Sequence, residues 1–390
     1  MTADAVRSLS FDDYLATITR FTDEELIPAE PAMVASGEVP PGLVARMAEL
    51  GLFGITLGRE HGGLGWSVEQ QVRLTMEFTR ASVVYRSRFS TTIGLCSQAV
   101  AAHGTDPQKA DLLPAFAGGR TVAAFALTEV SAGTDATALR TTAVRDGDGY
   151  VLNGTKRYIT NGHWADVLLL FARHEDSGAL SAFLVDRTAT GVTTRLPAQM
   201  NGHAEAPVAE IDLVDVRVGR DALLGGVEGE GLRQAMRGIN HARIHVAATA
   251  VGQATRLLQE ATAHATDREQ FGRPLLDLGA LQSSLGRSYA ELEAGRALVL
   301  DCAREFDRSG PPRERISAAK LYCTEMASEV ADRAVQVLGG AGIVGPHPVP
   351  RMWRDVRALR IYEGASQLHE RNLARALPAL LSPVERNTHA

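Results

Sequence analysis

The hydrophobic period of this chain changes twice along its length, and that succession limits the available folds more than any single motif does. Up to about Arg120 apolar residues recur every three or four positions, as in Phe11, Tyr14, Leu15, Ile18 and Phe21; this marks a helix burying one face. Pro28 and Pro31 punctuate the region, and Pro40 and Pro41 open a helix that Gly51 is placed to end. A Gly-rich loop over 58–65 precedes predicted helices over 68–81 and 91–102. From Thr121 the segments become short and β-rich: 121–127, 139–144, 150–152, 167–172, 180–185 and 208–214, with the turn Asp146-Gly147-Asp148-Gly149 among them. From Glu228 the helical period returns, with Leu232, Met236, Ile239, Val246, Ala250 and Leu257 as one stripe. Pro274 opens a second long helix, Gly310-Pro311-Pro312 closes it, and a third spans 313–338. The expectation is a helical domain over 1–120, a compact β domain over 121–227 and a helical bundle over 228–390.

The 390 residues suffice for two or three domains or one multilayered subunit. A net charge of −6 offers no electrostatic pull toward nucleic acid or an anionic membrane. Cys96, Cys302 and Cys323 make no disulfide framework or paired-cysteine motif, which fits a reducing compartment. Residues 1–11 lack a secretory pattern and no apolar run approaches a membrane span. The reading is a cytoplasmic protein with no nucleic-acid or membrane partner. Arg351, Arg354, Arg357 and Arg360 recur at helical spacing and read as a solvated or interface face.

Two runs carry chemistry. Arg360-Ile-Tyr-Glu-Gly-Ala-Ser-Gln places Glu363 in a tight turn with Ile361 and Leu368 read as buried on either side. Dehydration raises a carboxyl pKa and makes it a proton acceptor near neutrality. Far upstream, 128–135 (TEVSAGTD) follows an apolar strand and is joined by 156–162 (KRYITNG). A literal G-x-G-x-x-G at Gly340, Gly342 and Gly345 is no dinucleotide fingerprint, because it follows a helix and Pro346, Pro348 and Pro350 come after. His241 and His245 lie one turn apart, but no acid completes a zinc motif and the reading is structural, with no metal.

Together these runs resemble the acyl-CoA dehydrogenase flavoprotein family, whose motifs read T-E-P-x-A-G-S-D, (W/Y)-I-T-N and I-Y-E-G-T, in this order and across nearly the whole chain. The resemblance implies an α+β architecture with an N-terminal α-helical domain, a central β-barrel-like domain and a C-terminal four-helix bundle. It implies FAD as cofactor, bound by Phe125, Leu127, Thr128, Gly133, Thr134, Tyr158, Ile159 and Thr160, of which Thr128, Tyr158 and Thr160 would lie beside the flavin ring. Tyr158 replaces a frequent tryptophan and Thr134 a serine. Arg268, Gln270 and Phe271 match a segment that reaches the cofactor diphosphate and adenine across a subunit boundary. Gln336, Leu338, Gly339 and Gly340 match the Q-x-x-G-G segment, and Ala365 and Gln367 complete the cofactor set. Gly279 stands where the family usually carries a glutamine that contacts the cofactor, and Ala365 replaces a threonine.

The same resemblance makes Glu363 the catalytic base, since the alternative position on the first long helix holds Ala242. Thr134, Asn240, Arg243, Gly364 and Arg375 would touch substrate; Asn240 stands where aspartate is frequent. The implied reaction is α,β-dehydrogenation of a saturated acyl thioester to the 2-enoyl thioester. Glu363 takes the α-proton, flavin N5 accepts the β-hydride, and the Glu363 amide supports the thioester oxygen. The acyl carrier, coenzyme A or acyl carrier protein, stays open. An electron-transfer flavoprotein as acceptor and a homotetramer or homodimer are also implied. A flavin oxidase or monooxygenase on the same scaffold and a non-catalytic flavin-bound scaffold are the alternatives.

Overall fold

The computed structural model describes residues 6–197 and 199–381. The chain ends of the two expected outer domains, and the first five residues of the segment scanned for a secretory pattern, lie outside the described residues. The N-terminal part folds into α1 (Phe11–Phe21), α2 (Ile27–Ser36), α3 (Pro41–Glu49), α4 (Val68–Phe78), α5 (Val83–Thr91), α6 (Ser97–His103) and α7 (Asp106–Ala117). Ser10 and Ser67 cap α1 and α4 by accepting from the backbone N–H three residues on. Two helices run longer than the sequence pattern suggests. Wide π-turns at Thr22–Leu26 and Thr92–Cys96 join α1 to α2 and α5 to α6 without a break. Pro28 therefore sits in the first turn of α2 and Pro31 inside it, and neither ends a helix.

The β unit contains β1 (Ala123–Ala126), β2 (Thr142–Asp146), β3 (Gly149–Thr160), β4 (Val167–His174), β5 (Leu180–Asp186), β6 (Val192–Arg195) and β7 (Val208–Gly219). The sheet runs β4-β2-β3-β7-β6, with β1 beside β4 in parallel and β5 on the other edge of β4. The predicted strand 150–152 is only the start of β3, whose pairing with β7 continues to Thr160 through two register shifts. Those irregularities curl the sheet and carry the 156–162 motif to its end.

The C-terminal bundle consists of α8 (Gly231–Asp267), α9 (Gly279–Ser309), α10 (Arg313–Leu338), α11 (Pro348–Leu359) and α12 (Ser366–Leu380), with a small hairpin of β8 (Glu269–Gln270) and β9 (Arg273–Pro274) after α8. Leu232 is 40% exposed, so the expected α8 stripe does not begin there; the buried face passes through Gln234, Ala235 and Gly238. A Cβ on Gly238 would lie 2.6 Å from the Leu95 carbonyl oxygen, so only glycine lets α8 close onto the 92–96 π-turn.

One apolar cluster fills the N-terminal helices and the sheet (Ile18, Phe53, Phe89, Leu152, Phe183), and a second fills the bundle (Ile244, Val299, Cys323, Val330). Each fully buried large side chain of this kind contributes roughly 1.5–3 kcal/mol. A third cluster lies where the units meet: Leu95, Ala123, Leu169, Ala235 and Ala242 are buried, while Phe125, Leu127 and Ile239 stay partly open. Polar ties fix the junctions. Thr91 donates to the Ala123 carbonyl at 2.8 Å. Arg351, at the start of α11, binds Glu30 at 2.6 Å and Ser82 at 2.8 Å. Of the four arginines read as one solvated face, Arg354 and Arg357 are exposed, whereas Arg351 and Arg360 are part-buried and paired with Glu30 and Glu325.

Candidate active site

The two upstream motifs are joined by a buried ion pair. The Glu129 carboxylate accepts from Lys156 Nζ at 2.7 Å, from the Arg140 and Thr141 amides at 2.6 and 3.0 Å, and from the Thr141 hydroxyl at 2.6 Å. Lys156 is fully buried. The pair survives there because four donors replace the lost hydration of the carboxylate. Arg157 N–H then donates to the Thr128 carbonyl at 2.9 Å, which sets Thr128 next to Tyr158. Tyr158 has φ 59° and is 67% exposed, a ring presented outward from a strained backbone. Asn161, also left-handed at φ 63°, donates to the Ser87 carbonyl at 2.9 Å and accepts from Trp164 Nε1 at 2.9 Å. It locks the end of β3 to α5. Ile159 differs from its neighbours: its side chain is buried in the sheet core, so only its backbone can face a ligand.

Glu363 occupies the turn between α11 and α12. Both Glu363 (φ 55°) and Gly364 (φ 100°) are left-handed, a conformation that costs a glutamate about 1–2 kcal/mol and is kept only when its surroundings impose it. Three side chains do so. Arg243 Nε donates to the Glu363 carbonyl at 3.0 Å, Lys320 Nζ to the Gly364 carbonyl at 2.6 Å, and His369 Nε2 lies 3.3 Å from the Glu363 carbonyl. Arg243 also donates to Asn240 Oδ1 at 3.1 Å. The turn engages the amides of Ile361, Tyr362 and Ser366, and the Glu363 amide has no acceptor among the described residues.

Burial pushes the Glu363 carboxyl up to about 7, against the opposing pull of Arg243, Lys320 and Arg86. Burial lowers Lys320 to about 8 and His369 to about 4, so His369 is neutral. The expected shielding is supplied differently from the sequence reading: Ile361 is 59% exposed and Leu368 only part-buried. Tyr362 and the helices α5, α8 and α10 provide the walls instead. His245 bonds Thr75 and Gln71, at 3.0 and 3.2 Å, while His241 Nδ1 is buried with no partner among the described residues.

The remaining expected positions lie on the periphery. Arg268, Gln270 and Phe271 sit on the exposed hairpin, Phe271 at 89% exposure and φ 55°. Gln336, Gly339 and Gly340 lie exposed at the end of α10, whereas the Leu338 side chain is buried. Gly339 has φ 58° and ψ −129°, a conformation open only to glycine. Gly133, Thr134, Gln367 and Arg375 are exposed, and Ala365 is part-buried. Ala365 is tied to the Glu363 cluster directly, its carbonyl accepting from the His369 amide at 3.4 Å.

Matches to family models cover the chain in three consecutive parts: the acyl-CoA dehydrogenase N-terminal domain over residues 12–120, the middle domain over 124–216 and the C-terminal domain over 229–377. The 3-(aryl)acrylate reductase of Clostridium sporogenes is 34% identical, over 91% of this chain and 94% of that protein. The chain belongs to the acyl-CoA dehydrogenase family. Another acyl-CoA dehydrogenase relative, caffeyl-CoA reductase-Etf complex subunit CarC of Acetobacterium woodii, is 34% identical over 86% of this chain and 89% of its own length. The crystal structure of a glutaryl-CoA dehydrogenase from Mycobacterium smegmatis in complex with FADH2 superposes with a TM-score of 0.90 at 30% identity, covering 96% of each chain.

As an acyl-CoA dehydrogenase, the chain is an oxidoreductase acting on CH–CH bonds with FAD as its cofactor. The residues present fit that group. Thr128 and Thr160 offer hydroxyls on a wall where Phe125, Leu127 and the outward ring of Tyr158 offer flat apolar surface. Sequence reasoning missed Arg86, Lys320 and His369. Lys320 leaves a signal, a lysine on the buried helical period of Ile316, Ala319, Cys323 and Ala327. Arg86 likewise interrupts a buried run from Val83 to Phe89. His369 leaves none beyond its spacing from Glu363. No helix among the described residues is long and apolar enough to cross a membrane.

Proposed function

We propose that this chain catalyses α,β-dehydrogenation of a saturated acyl thioester, with Glu363 as the base that removes the α-proton. The observation that carries the reading is the half-buried Glu363 carboxyl, raised to about 7 and held in a left-handed turn by donors from α8, α10 and α12. A base with that affinity is ionised in a large fraction of molecules at neutral pH and still binds a proton well. As the α-proton leaves, charge moves onto the thioester oxygen, and the unengaged Glu363 amide is a donor for it. Thr128, Tyr158 and Thr160 would hold the flavin ring, and Arg268 would reach its diphosphate from a neighbouring subunit. When bound, FAD supplies the acceptor for the β-hydride. Asn240 and Arg243, bonded to each other, would orient the thioester arm, with Thr134, Gly364 and Arg375 as further contacts.

Coenzyme A and acyl carrier protein present the same arm, and this reading takes either one as the carrier. The CarC relative is named as a subunit of an Etf complex, which supports an electron-transfer flavoprotein as electron acceptor. Exposed Phe271, Gly339 and Gly340 support a homodimer or homotetramer in which neighbours complete the cofactor site. The units proposed are 1–120, 121–227 and 228–390, and three buried free cysteines suit a reducing cytoplasm.

The test is anaerobic: acyl thioesters are mixed with the FAD-loaded protein and the loss of visible flavin absorption is timed. Glu363→Gln should slow bleaching by roughly 10²–10⁴-fold without loss of bound flavin, and full-rate bleaching by that variant would refute the assignment. A second reading is favoured by two relatives named as reductases. In that direction the protonated Glu363 would deliver its proton to the α-carbon of an enoyl thioester while the reduced flavin, when bound, would supply the hydride to the β-carbon, and the pH dependence reverses.

A further inference from the structure

Two left-handed residues meet at Tyr362. Glu363 follows it in the chain, and His203 faces its ring from the β unit, at φ 56° and 8% exposure in the loop that enters β7. A histidine keeps that conformation only where its surroundings impose it. Here the contacts that impose it all lie on the segment leading to Glu363. The His203 amide donates to Asp355 Oδ1 at 2.7 Å, and its ring Nε2 lies 3.1 Å from the Asp355 carbonyl oxygen. A carbonyl only accepts, so Nε2 carries the proton. The imidazole meets the Tyr362 ring edge-on, with centroids 6.0 Å apart and planes at 73°. Gly202 permits the approach, since a Cβ there would lie 2.6 Å from the Arg354 carbonyl oxygen on α11.

The support beneath His203 is itself fixed. Asp355 is 2% exposed, and its second oxygen lies 3.4 Å from Arg351 Nη1, whose guanidinium also holds Glu30. On the other side the Ala206 amide donates to the His203 carbonyl at 3.0 Å and closes a turn, and Val208 then pairs with Thr160 at the end of β3. What the clamp on Glu363 lacks is an upstream member. Arg243, Lys320 and His369 hold the carbonyls of Glu363 and Gly364. The peptide that joins Tyr362 to Glu363 has no backbone partner, for its carbonyl or for its amide, among the described residues. That peptide sets the direction in which the Glu363 N–H and side chain leave the turn. Tyr362 packs against the apolar cluster of the bundle, and His203 is the contact that ties the same ring to the β unit.

We propose that His203 is a positioning residue for proton removal: it holds Tyr362, and through it the peptide that follows, at the angle that presents the Glu363 amide to the thioester oxygen and the Glu363 carboxyl to the α-carbon. The proposal rests on the reading of Glu363 as the base. Rates in such a site depend steeply on placement, and an error of about 1 Å costs on the order of a hundredfold. Because the His203 loop runs straight into the Val208–Thr160 pair, it sets Glu363 against the proposed flavin wall and not against the bundle alone.

The experiment mixes FAD-loaded protein anaerobically with coenzyme A thioesters from propanoyl to octanoyl and carries forward the one that bleaches the wild-type flavin fastest. His203→Asn accepts the left-handed backbone and keeps the amide bond to Asp355 but removes the ring. Its bleaching rate at saturating thioester should fall about tenfold to a hundredfold, with half-saturation, flavin content and urea midpoint close to wild type. In protein already carrying Tyr362→Leu the same change should cost less than about threefold, because the contact through which it acts is gone. An unchanged saturated rate overturns the proposal, and so does a loss no larger than the unfolded or flavin-free fraction. A full loss on top of Tyr362→Leu also overturns it. Should His203→Asn not fold, His203→Gly relieves the strain of the position and is read by the same measures. If no thioester bleaches the flavin, or Glu363→Gln bleaches at the wild-type rate, the base reading fails and the proposal falls with it. A slowed Glu363→Gln beside an unaffected His203→Asn sinks the proposal alone.

Discussion

Lys320 reaches from the buried face of α10 to the Gly364 carbonyl oxygen, 2.6 Å away. The lysine therefore grips the backbone immediately after Glu363, not the Glu363 carboxyl itself. Its ammonium also lowers the proton affinity of the Glu363 carboxyl. One side chain thus sets both the position and the ionisation of the acid.

Lys320→Met should separate those effects from stability. Leaving the Gly364 carbonyl without its donor costs about 1–3 kcal/mol, offset in part because a desolvated ammonium is removed. Turnover should fall more than about tenfold, and the acid limb of the pH–rate profile should move to higher pH. Urea unfolding beside the kinetics checks this, and a rate loss no larger than the unfolded fraction would leave Lys320 a purely structural residue.

The pH profile of the wild type follows from Glu363. With burial raising its carboxyl to about 7, kcat/KM for dehydrogenation should climb with pH through about 7 and level off above. The folded protein binds the proton more tightly than the unfolded chain, so this group's contribution to stability is full below about 4.5 and is lost as pH rises toward 7. Glu363→Gln should flatten that decline, seen as a thermal midpoint that varies less between those pH values. A reductase would show the opposite rate limb, falling as pH passes 7.

Glu129→Gln should break the buried ion pair beneath the proposed flavin wall. It leaves the Lys156 ammonium buried without its counter-charge, at a cost of about 3–5 kcal/mol. Burial pushes the Glu129 carboxyl up, but Lys156, Thr141 and the Arg140 amide bring it below the usual range. Its stabilisation is present above about 4.5 and lost as pH falls below. Denaturant unfolding and the flavin content of the purified variant measure both consequences; unchanged flavin retention would separate the ion pair from the cofactor wall.

Phe271→Ala should leave the fold intact, since an 89% exposed ring contributes little within one chain. If a neighbouring subunit completes the cofactor site, the variant should hold FAD more weakly or dissociate on dilution. Light scattering with flavin fluorescence reads this, and wild-type assembly with wild-type flavin affinity would remove Phe271 from the interface.

The layout of the fold was readable because period and punctuation are local properties. Helices give way to strands at Ala123 and strands to the long helix at Gly231, in the order that the change of period implies. What the pattern concealed was continuity. Pro28 and Pro31 look like breaks, yet the first takes a first-turn position of α2 and the second lies inside that helix without ending it, and two π-turns let helices run on where the apolar period slips. In the site, Glu363 was visible through its motif, but its shielding was not, since Ile361 points to solvent and distant helices do the covering. Arg86 and Lys320 went unseen for the same reason. A cation on an apolar helical face takes its meaning from what the fold sets opposite it.

The π-turn at Thr92–Cys96 lies across from Ala242 and carries Leu95 against Gly238. Each residue of a helix turns the chain by about 100°, so losing one residue there would tighten the coil and swing α6 by more than a quarter revolution relative to α5. The side chains that Leu95 and α6 turn toward α8 would be exchanged for others, while Lys320 and the turn that carries Glu363 belong to elements outside this segment. A one-codon deletion would thus remodel one junction of the fold in a single step.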